Sequence, residues 1–214
     1  MTLRWNIAQT AELKWWKNYL KKKDVNEYLN WKRGYWQDIL DQMQTEILPN
    51  NNEEILDTGC GPAGIYMNLV GYKIDAVDPL LDNYDKNIAH FNKTDYPNVS
   101  FYTSPFEKFD INKKYSTVFC MNVINHVIDI DICIEKLSYY TSQNGYLIVT
   151  IDAHNYAFFK YLFRAIPMDI LHPFQYNLDE YVKLFESNDF KLKEEACIVK
   201  EYFFNHYLLV FQKV

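Results

Sequence analysis

Glu53-Glu54-Ile55-Leu56-Asp57-Thr58-Gly59-Cys60-Gly61-Pro62-Ala63-Gly64 is a short apolar run stopped by an acid and followed by a turn with three glycines. The amphipathic run Ile65 to Val70 comes next, so the stretch reads as strand, tight loop and helix. Glycines at 59 and 61 let the backbone approach a ligand with no Cβ in the way. Pro62 stands where a first helical residue would stand, and its missing N–H costs nothing there. The loop then ends in free helix N–H groups able to meet a polar or anionic ligand group. Gly59-x-Gly61-x-x-Gly64 also fits the dinucleotide fingerprint, with Asp78 at about the expected distance downstream.

Downstream of this loop the strand–helix rhythm continues. Lys73 to Asp78 reads as a second strand, and Pro79 opens a helix through about His90. Pro97 to Tyr102 and Tyr115 to Cys120 read as the third and fourth strands. A helix follows from about Asp131 to Ser142, stopped by Asn144-Gly145, and Tyr146 to Ile151 is the fifth strand. Such alternation predicts a doubly wound parallel sheet with helices on both faces. Asn177 can cap a helix over Leu178 to Glu186. Two strand-like runs near 190–200 and 203–212 leave no room for a helix between them, which predicts an antiparallel hairpin and a total of seven strands.

Upstream, residues 1–48 read as a helical leader. Ala8, Ala11, Trp15 and Tyr19 share one face of a first helix, broken at Lys22 to Asp24. A second helix holds Val25, Tyr28 and Leu29, Gly34 interrupts it, and a third runs near 35–47. Pro49-Asn50-Asn51-Asn52 is a turn cluster, with no Pro/Gly/Ser-rich linker behind the leader. The expected organisation is therefore one domain over 1–214, with a leader at 1–48 and an α/β core at 53–214.

Hydrophobic residues make up 49% of the 214, which is globular rather than disordered composition. The net charge of −6 argues against nucleic acid as a partner, and Lys21-Lys22-Lys23 is the only basic run. The four cysteines, at 60, 120, 133 and 197, form no CxxC pair and have no His cluster beside them. Neither a metal site nor a disulfide framework is expected, and reduced thiols suit a cytoplasmic protein. The first residues lack the apolar core of a signal peptide, and no apolar run is long enough to cross a bilayer. With 18 Tyr, 14 Phe and 5 Trp, the chain has aromatic side chains to spare for an organic pocket. A monomer or homodimer is expected.

Asp57-Thr58-Gly59-Cys60-Gly61-Pro62-Ala63-Gly64, with its acid two residues before the first glycine, resembles the first motif of the class I S-adenosylmethionine (SAM)-dependent methyltransferases. The resemblance covers roughly residues 50–213. It implies a Rossmann-like, mostly parallel seven-stranded sheet with an antiparallel last strand. It also implies a transferase that moves the methyl group of SAM to a small organic acceptor, leaving S-adenosylhomocysteine. Asp57, Gly59, Cys60 and Gly61 would then cradle the cofactor. Asp78, with Pro79 behind it, would take the two ribose hydroxyls, since a carboxylate can accept both hydrogen bonds. Ser104, Pro105 and Phe106 occupy the adenine-binding turn, where the family often has an acid in place of Ser104. Cys120, Met121 and Asn122 would pass beside the methionine part. The chain lacks the acid- or Asn-Pro-Pro-aromatic tetrapeptide of enzymes that methylate exocyclic nitrogens of nucleic-acid bases.

The acceptor pocket is expected beyond the carboxyl ends of strands four and five, under the leader. Trp15, Trp16, Tyr19, Tyr35 and Trp36 are its candidates from the leader; His154, Tyr156 and Phe159 follow strand five; His172, Phe174 and Tyr176 come after them. Core packing is the simpler account of most of them. Arg33 could pair with the methionine carboxylate. His126 and His154 are candidates for a proton-accepting imidazole, and His126 reads equally as a group packed beneath the site. Two other functions remain open on the sequence: a NAD(P)-dependent oxidoreductase, from the shared glycine spacing, and a non-catalytic binding or partner subunit of methyltransferase fold, from the missing acid at Ser104.

Overall fold

The computed structural model of the chain describes residues 3–43, 47–48, 53–155 and 176–214. Two leader helices, α1 (Leu3–Leu20) and α2 (Val25–Asp41), precede the sheet. The strands are β1 (Glu54–Thr58), β2 (Lys73–Asp78), β3 (Val99–Thr103), β4 (Tyr115–Met121), β5 (Thr141–His154), β6 (Phe190–Lys200) and β7 (Phe204–Lys213). Between them lie α3 (Leu81–Asn87), α4 (Ile130–Tyr140) and α5 (Leu178–Glu186). The strand order is β3-β2-β1-β4-β5-β7-β6. The first five strands are mutually parallel, whereas β7 runs antiparallel to both β5 and β6. That antiparallel return is the one the terminal hairpin predicts; another crossover would have continued a plain dinucleotide fold.

Central strands covered on both faces need apolar side chains at successive positions. β1 accordingly buries Ile55 toward one side and Leu56 toward the other. On the first face Ile74, Ala76, Phe119 and Ile148 meet Trp36 and Ile39 of α2 and Tyr84 of α3. On the second face Val77, Val118 and Leu147 meet Ile134 and Leu137 of α4 and Phe185 of α5. The leader thus completes the first core. The Asn177 side chain accepts from the Glu180 amide while the Glu180 carboxylate accepts from the Asn177 amide, so α5 begins on a reciprocal cap.

Three local expectations are corrected. Gly34 does not interrupt the leader, because α2 runs unbroken through it from Val25. The side chain of Asp24 caps its start, and buried Tyr28, Trp36 and Ile39 supply more than the cost of about 1 kcal/mol for an internal glycine. The α-helix expected after the glycine loop is absent: Gly61–Ala63 and Ile65–Asn68 form two short 3-10 turns. Lys73 is already in β2, and α2 packs against the second turn. Finally, α4 ends at Tyr140, two residues before the expected Ser142, and Asn144-Gly145 does not stop it. Buried Thr141 is already extended and paired with Tyr115, while its hydroxyl donates to the Leu137 carbonyl. Asn144, at φ 62°, bends the early part of β5 instead.

Candidate active site

A cavity of about 520 Å³ opens over the carboxyl ends of β1 to β4. Its floor is the glycine loop. The Gly59 and Cys60 amides both donate to the Val77 carbonyl, at 2.7 and 3.2 Å, folding the loop over the end of β2. Gly59 and Gly61 have φ of +62° and +59°, in the left-handed region. A Cβ on Gly59 would lie 2.4 Å from Cγ2 of Val123, whereas one on Gly61 would meet only Trp16, at 3.9 Å. Gly59 therefore keeps the loop closed against the β4 end, and Gly61 keeps its cavity side open.

Asp78 stands at the wall beside the loop. Its Oδ2 accepts from the Gly61 amide at 3.1 Å and its Oδ1 from the Leu80 amide at 2.8 Å. Each oxygen retains a lone pair for a ligand. Burial, and then the nearby charge of Glu12, raise the Asp78 carboxyl to about 7 against the pull of those two amides. Glu12 reaches the same wall from α1, held by the Tyr84 hydroxyl at 3.3 Å, and burial raises it as well. Asp57 lies under the loop, its carboxyl raised to about 8 by burial and then by Asp78, while the Tyr66 amide holds it down. Its Oδ2 is buried with no hydrogen-bond partner among the described residues. This end of the cavity therefore presents two carboxyl groups, Glu12 and Asp78, with a third, Asp57, buried behind the loop, an arrangement that favours a cationic ligand with hydrogen-bond donors.

Pro105 and Phe106 form the opposite wall, with Phe106 largely buried, and the end of β4 adds Met121 and Asn122. Asn122 takes φ 58° and donates its amide to the Thr150 carbonyl, which turns the chain across the cavity toward Val123 and His126. Asp57, Ser104 and Cys120 do not line the cavity; Asp57 is buried beneath the glycine loop and Cys120 in the second core. Of the cofactor positions expected from the sequence, Gly59, Cys60, Gly61, Asp78, Pro79, Pro105, Phe106, Met121 and Asn122 come together at the cavity.

The other end is roofed by the leader. Trp15, Trp16, Tyr35 and Trp36 line the cavity, and the Trp36 indole donates to the Ala63 carbonyl at 2.9 Å, tying α2 to the loop. Tyr19 does not line the cavity but stacks on Trp15 with ring centroids 4.8 Å apart. Arg33 is exposed, on a side of α2 away from the cavity. His154 lies outside the cavity, edge-on to Phe204. Tyr156, Phe159, His172 and Phe174 lie outside the described residues.

Gln9, Glu12, Lys32 and His206 are cavity side chains that the sequence reading misses. Trp5, Gln9, Glu12 and Trp16 recur at helical spacing along α1, so polar residues inside an aromatic stripe were the available signal. Lys32 falls at the same kind of spacing before Tyr35 and Trp36. His206 shares the leader-facing side of β7 with buried Leu208 and Val210, an unexpected place for an imidazole.

A sequence model of the methyltransferase domain family matches residues 28–195, and the chain belongs to that family. It is 32% identical over 91 residues to a ubiquinone biosynthesis O-methyltransferase of Rickettsia bellii, a match covering 42% of this chain and 38% of that protein. The chain spans less than half the length of the curated relatives it matches. Among solved structures, a SAM-dependent methyltransferase from Methanosarcina mazei superposes with a TM-score of 0.60 at 17% identity, covering 82% of this chain and 96% of that one. The N-methyltransferase NodS from Bradyrhizobium japonicum, solved with S-adenosylhomocysteine, superposes with a TM-score of 0.62 at 10% identity, covering 91% of this chain and 90% of that one. At such identities the likeness is one of fold.

Proposed function

We propose that the protein is a SAM-dependent methyltransferase acting on a small organic acceptor, with leader and α/β core working as one domain. The observation that carries the reading is the acid-walled end of the cavity. Asp78, clamped by the loop amides, retains a lone pair on each oxygen for the two ribose hydroxyls. The open side of Gly61 admits the ribose and the methionine chain, and Phe106 offers an apolar face to adenine. The raised acids Glu12 and Asp78 on the cavity wall, with Asp57 buried behind the loop, complement a ligand bearing sulfonium and ammonium charges. A cavity of about 520 Å³ also falls in the ordinary range for small-ligand sites.

SAM supplies an electrophilic methyl group that transfers by in-line displacement. The chain's own work is to hold the acceptor in line and exclude water, and positioning of that kind contributes up to roughly 7–11 kcal/mol in favourable systems. Trp16 and Trp36 close the cavity from above and keep its interior apolar. Calorimetric titration with SAM tests the reading: saturable heat at one site supports it, whereas no heat with SAM together with saturable binding of NADH reverses it. Exposed Ile7 and Trp31 on the leader favour a second reading, a non-catalytic partner subunit of the same fold. Turnover of SAM with any acceptor excludes that reading.

A further inference from the structure

At the leader end of the cavity three side chains from distant parts of the sequence meet. Asp152 and His206 are register partners across β5 and β7, and Oδ1 of Asp152 lies 2.7 Å from Nδ1 of His206. A carboxylate only accepts, so Nδ1 carries the proton and Nε2 keeps its lone pair for another donor. That lone pair points to the Tyr35 hydroxyl at 3.4 Å, a long contact that a better-placed donor displaces. Tyr35 and His206 both line the cavity, whereas Asp152 stands behind them.

One helical turn before Tyr35 is Lys32, whose Nζ sits 4.2 Å from the ring centroids of both Tyr35 and Trp36. Among the described residues no carboxylate pairs with it. Burial lowers its ammonium to about 8, and an anion bound beside it would restore the charged form. Burial and then the Asp152 charge raise the Tyr35 phenol to about 12, so it stays a neutral hydroxyl at physiological pH. The further titratable side chains lining the cavity are Glu12, Cys60, Asp78, Glu107 and His126; on β6 the residue opposite His206 is Val199.

We propose that His206 is the general base for the methyl acceptor, that Asp152 positions its ring, and that Lys32 holds the resulting oxyanion, which makes the acceptor a phenol-class hydroxyl. The inference rests on the methyltransferase reading. As a class, imidazoles are weaker bases than phenolates by roughly 3–4 units, a gap that a neighbouring ammonium narrows, whereas alkoxides lie far beyond it. Flat walls from Tyr35 and Trp36 suit an aromatic ring. In the step itself the acceptor hydroxyl takes Tyr35's place and gives its proton to Nε2. The oxygen's electron pair forms the new bond to the methyl carbon. The carbon–sulfur bond breaks with its pair on sulfur, leaving a neutral thioether, and the imidazolium then loses its proton to solvent.

The test uses 4-nitrophenol, whose phenolate is read by its visible absorbance, titrated against pH on the full chain with and without S-adenosylhomocysteine. On the wild type the bound probe is expected to ionise about one pH unit lower than the free probe, a tenfold shift toward phenolate. His206→Gln and Lys32→Met should each abolish most of that shift, and Asp152→Asn should reduce it while Asp152→Glu restores part. Calorimetry with SAM on each variant reports whether the cofactor end is still folded. The proposal is overturned if the probe does not bind the wild type, if it binds with unshifted ionisation, or if the shift survives in both His206→Gln and Asp152→Asn variants that still bind SAM. Failure of SAM to bind the wild type sinks the methyltransferase reading instead, whatever the probe does.

Discussion

The two ends of the cavity are built in different ways. The acid-walled end comes mostly from segments within about fifty residues of one another: the loop after β1, the end of β2 and the turn after β3, joined from the leader by Glu12 and by Trp16 and Trp36 against the loop. Its main contacts are short-range, such as the Asp78 carboxylate clamping the Gly61 and Leu80 amides. The leader end joins Lys32 and Tyr35 of α2 to His206 of β7, 171 positions beyond Tyr35, through side-chain contacts alone. A short-range site is fixed by backbone geometry that each residue dictates to its neighbours. A long-range site exists only once the sheet has set which strands are adjacent. Cofactor binding should therefore tolerate changes at the leader end that abolish acceptor chemistry.

The largest expected effect breaks the acid-walled end outright. Asp78→Ala removes the proposed ribose acceptor and the clamp on two amides; at about 1.5–3 kcal/mol for a hydrogen bond to a charged group, SAM affinity should fall on the order of 100-fold. Calorimetry measures it, and an unchanged dissociation constant would remove Asp78 from the site.

Next comes the contrast within the loop. Gly59→Ala drives a Cβ into Val123 on a strained φ and should cost about 2–4 kcal/mol, lowering the melting temperature by several degrees. Gly61→Ala faces only Trp16 and should cost about 1–2 kcal/mol of backbone strain while weakening SAM binding more than stability. Equal losses of stability at the two positions would contradict the assignment of one glycine to closure and the other to ligand access.

A smaller effect concerns protons. Asp78 at about 7 and Asp57 at about 8 are both raised from 3.8, so below about pH 4 the folded chain carries no ionisation penalty from them, and stability is lost progressively as pH rises from there until it levels off above 7 to 8. A cationic ligand reverses the balance by favouring the ionised carboxylates. SAM should bind more tightly as pH rises from 6 to 8 and release roughly one proton near pH 7. Matched titrations in phosphate and Tris, which differ in ionisation heat, count that proton; identical heats would mean that the acids are already ionised in the free protein.

The smallest effect lies outside both ends. Gly34 sits in the continuous α2 helix, and a Cβ placed there would meet nothing within 4 Å, so Gly34→Ala should stabilise the fold by about 0.5–1 kcal/mol and leave SAM binding unchanged. A thermal melt shifted upward by about two or three degrees is the expected reading.

The alternation of strands and helices, the closing hairpin and the glycine loop were legible because each is a short-range pattern of apolar spacing and turn chemistry. Gly34 and Asn144-Gly145 misled for the same reason: they carry real local preferences that burial of Trp36 and pairing of Thr141 with Tyr115 override. At the cavity, His154 drew attention by following a strand-end acid, yet the imidazole that Asp152 meets belongs to His206 on the neighbouring antiparallel strand.

The residues alone determined the parallel core, the return of the chain in an antiparallel hairpin, and a loop shaped to receive a ligand beside Asp78, because each follows from the conformations and burial of near neighbours. Only the tertiary structure decided that α1 and α2 roof the cavity, that Glu12 stands beside Asp78, and that Lys32, Tyr35, His206 and Asp152 meet at its far end. Those contacts depend on strand order and helix docking, which emerge from the packing of the two cores together and leave no mark within any single segment.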